Sequence, residues 1–346
     1  MSIHRNLYGF APKTSGIGAL GIGALGVAAL AAALPARAAE KEVTFAYQDM
    51  VVPLRVLMQN GAVEKATGYK VTWRKFGGGG DVIRAMASGN VAIGEAGSSP
   101  VAAAASQGLA VELFWILDDI ADAEQLVVRD GTGITDVKGL KGHTVATPFV
   151  STSHYQLMYA LQKAGLSQTN VKVLNMRPPE IAAAWERGDI DATFIWDPVL
   201  AKVKANGKVI ASAAEIAREG RPTFDGLVVD KAWADANKPF MTEFVKLLAQ
   251  EDADYESHKA TWTPDSEPVK AVAKWTGATP ADVPAGMAAY RFPTLSQQAS
   301  ATWLGGGAAV ALKNTADFLK EQGKVQALAP DYAAYVTDEF VKAAQK

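Results

Sequence analysis

The chain of 346 residues contains no cysteine. That excludes a thiol nucleophile, a thiolate metal site, a disulfide framework and a lipid-modified cysteine anchor. It leaves the redox compartment open, because a large exported domain can do without disulfides. Histidine is nearly as scarce. Only His4, His143, His154 and His258 occur, and their spacing fits no metal cluster. No excess of one charge exists either: 34 Lys and Arg stand against 36 Asp and Glu, and the basic residues are scattered. Such a chain offers no broad field to nucleic acid or anionic lipid, so no nucleic-acid partner is expected. Catalytic signatures are missing too. There is no Gly-x-Ser-x-Gly elbow. Ser153 and His154 are adjacent at a helix start, where neighbouring side chains diverge. "FGGGGD", residues 76–81, lacks the Lys-Ser/Thr of a phosphate loop and the spacing of a dinucleotide fingerprint. It reads as a tight turn whose N–H groups face a cleft. No metal and no cofactor are expected.

One long apolar run is present, at the N-terminus. Arg5 and Lys13 precede it, and no charge appears from Thr14 to Ala36. Ala36-Arg37-Ala38 then supplies small residues around a cleavage point. A basic start, an apolar middle and a small-x-small end describe a secretory signal, cut after Ala38. A retained anchor is the alternative, since the run is long enough to span a bilayer. No later segment is apolar enough to span one. The mature chain is expected to be soluble and outside the cytoplasm.

The mature chain alternates strands and helices. "EVTFAYQ" from Glu42 reads as a strand, "PLRVLMQNGAVEKATG" from Pro53 to Gly68 as one helix, and "YKVTWRKF" as the next strand. A glycine turn opens a helix that stops at Gly89, "VAIGEAG" forms a third strand, and Ser98 opens another helix. "LAVELFWIL", "EQLVVR", "HTVATP", "VKVLNM" and "ATFIWDP" continue the series. This is an α/β pattern with a mostly parallel sheet. After about Ala232 the chain turns mainly helical. The stretches beginning at Asp81 and Glu180 echo one another: an acid, an apolar-striped helix, Gly89 or Gly188, a short strand, then a loop ending at Pro100 or Pro198. A chance αβ connection and a true repeat of two lobes both fit.

Two helix mouths carry the chemistry. "GSSP" places Gly97, Ser98, Ser99 and Pro100 before a run of alanines. A helix N-terminus has unpartnered N–H groups and a partial positive charge, so it binds anions through neutral donors. Taken alone, the motif reads better as an ordinary N-cap with Ser98 or Ser99 capping. The second mouth, Ser151, Thr152 and Ser153, also follows a strand. Two such mouths, one per lobe, suggest jaws on a shared oxyanion. Glu124 and Asp225 stand before apolar strands where the chain should cross between lobes. Such carboxylates repel an anion and suit an ammonium at the far end of the same ligand. Trp196 ends an apolar strand at the ligand-side edge, where its face holds a cation or packs in the core. Asp197 beside it caps the next helix.

In "VTFAYQ", "VTWRKF", "VIRAMASGNVAIGEAGSSPVAAAASQ", "STSHY", "AAWERGDIDATFIWDP" and "PTFDGLVV" the sequence resembles a known family. These are the periplasmic solute-binding components of ABC importers that take taurine, sulfonates, nitrate and related small anions. The resemblance implies a type II periplasmic-binding fold, with two α/β lobes, two crossing segments and a ligand cleft between them. It implies a signal peptide over 1–38, lobe 1 from 39–128, lobe 2 from 129–227 and a mostly helical remainder of lobe 1 over 228–346. Carried onto this chain, Ser98, Ser99, Thr152 and Ser153 would hold sulfonate oxygens. Glu124 and Asp225 would face an amine, and Gln48 and Trp196 would line the cleft. The implied role is a periplasmic, monomeric, non-enzymatic receptor that captures taurine or a related small sulfonate and serves an ABC importer permease. An alkanesulfonate or nitrate receptor is the alternative; an enzyme of thiamine-precursor type on the same fold is a more remote one. The chain departs from the family in its extra glycines at "FGGGGD" and in Asp197, which stands where a small residue is expected. That acid favours an aminated sulfonate.

Overall fold

The computed structural model describes residues 41–346, so the expected signal over 1–38, with its cleavage point, lies outside the described residues. The first lobe opens with β1 (Glu42–Tyr47), in which buried Val43 and Phe45 alternate with more exposed Glu42 and Thr44. Two helices follow, α1 (Leu54–Asn60) and α2 (Ala62–Thr67), in place of the single helix expected from Pro53 to Gly68. Gly61 separates them at φ 60° and donates its N–H to the Leu57 carbonyl. That left-handed geometry stops a helix and is open to a residue without Cβ. The lobe continues through β2 (Lys70–Lys75), α3 (Gly79–Ala87), β3 (Ile93–Gly97), α4 (Ser98–Ser106) and β4 (Val111–Asp119).

The second lobe contains β5 (Glu124–Arg129), β6 (Thr144–Thr147), α5 (Thr152–Lys163), β7 (Lys172–Asn175), α6 (Pro178–Arg187), β8 (Ala192–Trp196), α7 (Val199–Lys204) and β9 (Gly207–Ser212). The chain then returns to the first lobe as β10 (Phe224–Asp230). One sheet runs β2-β1-β3-β10-β4 and the other β7-β6-β8-β5-β9. These are the same order, with β6 standing for β1, β7 for β2, β8 for β3, β5 for β10 and β9 for β4. The echo between the segments starting at Asp81 and Glu180 therefore coincides with matching α3-β3-α4 and α6-β8-α7 units.

Each sheet is mixed, where a mostly parallel one was expected. β1 is parallel to β2 and β3, and β6 is parallel to β7 and β8. β10 and β5 run antiparallel to both of their neighbours. The cause is the crossing itself. A strand such as β4 ends at the cleft, so the chain enters the other lobe at the cleft and must run away from it. β5 pairs with β8 and β9, and β10 pairs with β3 and β4. The chain thus passes from the first sheet to the second over 120–123 and returns over 219–223. A crossing strand belongs to the sheet it enters.

The C-terminal helices cover the first sheet. Phe244 of the helix Lys238–His258 meets Phe45 at 5.9 Å and Phe114 at 6.3 Å between ring centroids, and Phe340 meets Phe114 at 6.3 Å. They also reach the second lobe and the crossings, beyond the expected packing on lobe 1 alone. Phe318 meets Tyr155 of α5 edge-on at 5.1 Å. Asp122 donates its N–H to the Ala289 carbonyl (3.1 Å), and Asp119 pairs with Arg291 through main-chain bonds.

Inside the first lobe α1 sends Arg55 under β3. Arg55 and Glu95 are both fully buried, and the guanidinium grips the carboxylate with both amino groups, Nη2 to Oε2 at 2.9 Å. Nη2 also donates to the Gln48 carbonyl at 3.2 Å. A buried pair of this kind contributes little against an apolar replacement of both partners, but loss of one partner strands a charge. Arg55→Met should therefore destabilise the protein by about 3–5 kcal/mol, read as a lowered urea midpoint, whereas Arg55→Met with Glu95→Leu should recover much of that loss.

Candidate functional site

The two lobes meet at a small cavity. Gln48, Met50, Gly79, Gly97, Pro100 and Asp225 line it from the first lobe, and Glu124, Ser151, Thr152 and Trp196 from the second. Only about 10 Å³ remains for the centre of a water-sized sphere, room for about one water. The lobes are closed on one another. Asp81 of α3 pairs with Arg177 ahead of α6 at 3.1 Å across the mouth. Trp196 donates its indole N–H to Asp49 at 2.8 Å, again across the cleft.

The N-termini of α4 and α5 face this space from opposite lobes. At α4 the cap is Gly97, in extended geometry, and no side chain caps the helix. The expected capping by Ser98 or Ser99 is absent because both lie inside the first turn. The reason is space: a Cβ on residue 97 would stand 2.7 Å from Thr152 Cγ2 and 3.0 Å from Asp225 Oδ1. Glycine is what lets α4 approach α5. At α5 the cap is Ser151, whose Oγ accepts the His154 N–H at 3.0 Å. Val150 just before it has φ 57°, a strained conformation for a β-branched residue.

The eight residues named from the sequence divide into two groups. Gln48, Glu124, Thr152, Trp196 and Asp225 line the cavity, and Ser98, Ser99 and Ser153 do not. Ser98 is fully buried and its Oγ lies 3.5 Å from the Phe224 N–H at the return crossing. The hydroxyl of Ser99 is buried and has no hydrogen-bond partner, and the buried Ser153 hydroxyl lies beside the Glu124 carboxyl and, with Thr152, favours its charged form. Thr152 and Glu124 were expected at opposite ends of a ligand. They are bonded to each other, Thr152 Oγ1 donating to Glu124 Oε1 at 2.6 Å. Gln48 is held from behind: its N–H donates to Glu95 Oε2 at 2.8 Å and its Nε2 to the Glu95 carbonyl at 3.1 Å.

Sequence reasoning missed Asp49, Arg55, Glu95 and Asp118. Two of them carried a signal. Glu95 interrupts the small and apolar strand "VAIGEAG", and Asp118 is the last but one residue of the apolar strand "VELFWILDD"; an acid inside such a run is buried and must be answered by something. Asp118 lies directly opposite Asp225 in the β4–β10 register. Both are buried.

Acid dominates the electrostatics. Burial pushes the Glu124 carboxyl up to about 7, against the opposing pull of the Thr152 hydroxyl. Burial, and then the charge of Asp225, holds Asp118 well above the usual carboxylate range. Asp225 is raised by burial and then by Glu124 and Glu95. Asp197 is raised by burial, and its Oδ1 accepts the Ala201 N–H, which fits its expected capping role. His154 is lowered to about 4 by burial and stacks on Phe149 at 4.4 Å. It is neutral and packed at neutral pH, and its Nε2 has no partner. Among the described residues no cluster of His, Cys, Asp and Glu is arranged to hold a metal.

Two α/β lobes, two crossing segments and a cleft flanked by helix N-termini define a solute-binding protein of the type II periplasmic-binding fold. The NMT1/THI5-like family model matches residues 65–251. The taurine-binding periplasmic protein of Escherichia coli (strain K12) is 37% identical over 306 residues, 88% of this chain and 94% of that protein. A putative aliphatic sulfonates-binding protein of the same organism is 26% identical over 75% of this chain and 79% of its own length. Among solved structures, the alkanesulfonate-binding protein of Xanthomonas axonopodis pv. citri bound to MOPS superposes with a TM-score of 0.70 at 25% identity, covering 84% of this chain and 98% of that one. The chain belongs to the NMT1/THI5-like family, and it is a solute-binding component of the ABC importer type.

Two outcomes follow from the geometry. Glu124 keeps its proton up to about pH 7 when folded, whereas the unfolded group releases it near 4.5. Between those values the folded state binds more protons, so stability falls as pH rises, by roughly 3 kcal/mol from this group. Glu124→Gln should flatten that part of the stability–pH curve, measured by urea titration at several pH values. Gly97→Ala should drive α4 from α5, at an overpacking cost of about 1–3 kcal/mol. Small-angle scattering should show a larger radius of gyration than for the parent protein.

Proposed function

We propose that this chain captures taurine in the periplasm as a monomer and delivers it to the permease of an ABC importer, without chemistry of its own. One observation carries the reading. Helix N-termini with neutral donors and buried carboxylates without a matching cation surround the same cavity, which is the pattern a small zwitterion answers. The sulfonate would take the amides of α4 and α5 and the Thr152 hydroxyl, with the unpartnered hydroxyl of Ser99 and the hydroxyl of Ser153 in the same first turns. The ammonium would replace Thr152 at Glu124 and face Asp225, with the Trp196 ring beside it. Each helix terminus contributes about 0.3–1 kcal/mol toward an anion, and up to ~2 when partly buried. The name and coverage of the Escherichia coli relative support the same ligand. The N-terminal signal pattern supports export.

An amine-free sulfonate fits less well. It would bring a second negative charge toward Glu124 and Asp225 and leave their desolvation unanswered. The cavity has room for about one water as it stands, so the lobes must part to admit taurine and then settle around it less tightly, a shift between forms driven by contacts made only when both lobes touch the solute.

Calorimetric titration with taurine against ethanesulfonate tests the assignment. Asp225→Asn should weaken taurine by roughly 10- to 100-fold, the loss of about 1.5–3 kcal/mol for a hydrogen bond to a charged group. It should spare or strengthen ethanesulfonate. Taurine at about 100 times its Kd should stabilise the parent protein by about 2.7 kcal/mol. Unchanged melting with taurine, or an Asp225→Asn variant that loses both ligands equally, overturns the assignment.

A further inference from the structure

Asp118 is fully buried, and neither of its carboxylate oxygens has a hydrogen-bond donor. It does not line the cavity; Asp225 does. The two are opposite one another on adjacent antiparallel strands, next to a register shift between Asp225 and Gly226; side chains opposed in this way have Cβ atoms about 4.5–5.5 Å apart. The surrounding charges give no relief. From β3 comes Glu95, which already engages Arg55 of α1 with both oxygens. From β4 comes Asp119, which accepts the Ala121 N–H and lies 4.0 Å from Arg291. From β5 comes Glu124, held by Thr152. The buried phenol of Tyr290 faces the same acids. Among the described residues no salt bridge includes Asp118 or Asp225.

Two neighbouring carboxylates in a dry site do not both ionise; they hold one proton between them. We propose that Asp118 and Asp225 share a single proton in the solute-free cleft and that an incoming ammonium group displaces it to solvent, so that solute capture is coupled to proton release. Asp118 is then a positioning residue. It acts through Asp225, keeping the dyad at one negative charge while the cleft is empty of solute and presenting two when a cation arrives. An ammonium-bearing solute discharges the dyad, and an amine-free sulfonate does not. This gives selectivity from a residue that never touches the ligand. The direction of the carboxyl shifts agrees: both groups are held well above the ordinary range by burial, and Asp118 then by the charge of Asp225.

The inference rests on the taurine reading, and two measurements separate their fates. The first is calorimetric titration of the parent protein with taurine in buffers of different ionisation enthalpy. Above pH 7, where Glu124 is already ionised, about one proton should be released per taurine bound, and Kd should fall about tenfold per unit rise in pH while the dyad is protonated and the amine keeps its own proton. Asp118→Asn should release almost none and should lose that pH slope. Taurine binding without proton release overturns the inference and leaves the taurine reading standing. The second measurement needs no ligand: the infrared difference spectrum between parent protein and Asp118→Asn, taken well above pH 7 where Glu124 is ionised. A protonated-carboxyl band present in the parent and lost in the variant supports the shared proton, even should taurine fail to bind. No such band overturns it. Asp225→Asn removes the other half of the dyad and replaces Asp118→Asn in the spectrum should that variant not fold.

Discussion

Positive charge is in short supply around the cleft, and much of the molecule is arranged around that fact. Glu95, Asp118 and Asp225 are buried on adjacent strands of one sheet and Glu124 at the start of a strand in the other, and the buried guanidinium nearest them among the described residues, Arg55, is taken by Glu95. The three remaining acids must be protonated, hydrogen-bonded or met by a cation from outside. The molecule uses the first two. Thr152 serves Glu124 across the lobe boundary, and Asp118 stands against Asp225. A cleft that lacks its own cation selects for a ligand that brings one.

The duplicated sheet order explains why the acids and the helix mouths converge. In each lobe the strand before a helix mouth ends at the cleft, as β3 does before α4 and β6 before α5. The crossing strands begin at the same edge and run the other way. Glu124 opens β5 and Asp225 is the second residue of β10, so both acids sit where a strand first enters its new lobe. Ligands in open α/β sheets bind at such edges. Here two edges face each other, and Gly97 allows the approach to be close.

Function in this architecture resides in the cleft side chains. Here those are carboxylates, hydroxyls and an indole, with His154 buried and neutral against Phe149.

Much was legible along the chain. Strand alternation at Val43 and Phe45, the helix start at Ser98, the hydroxyl run from Ser151 and the acids at Glu124 and Asp225 all follow from local pattern and a crossing topology. The break at Gly61 was not, because a glycine inside an apolar-striped segment is compatible with a continuous helix until the backbone is seen. The capping role given to Ser98 and Ser99 differed for a tertiary reason: the space at residue 97 is set by Thr152 and Asp225, which are distant in sequence. Asp118 and Glu95 were visible as acids in apolar strands, but what each meets, Asp225 on β10 and Arg55 on α1, lies far off along the chain. The sequence by itself determined the alternation of elements, the two helix mouths and which residue types stand near them, since these depend on periodicity and short-range backbone chemistry. Only the tertiary structure decided which strand each acid faces, that Thr152 bonds Glu124, and that Asp118 backs Asp225, because register and lobe closure are set by contacts between residues far apart in the chain.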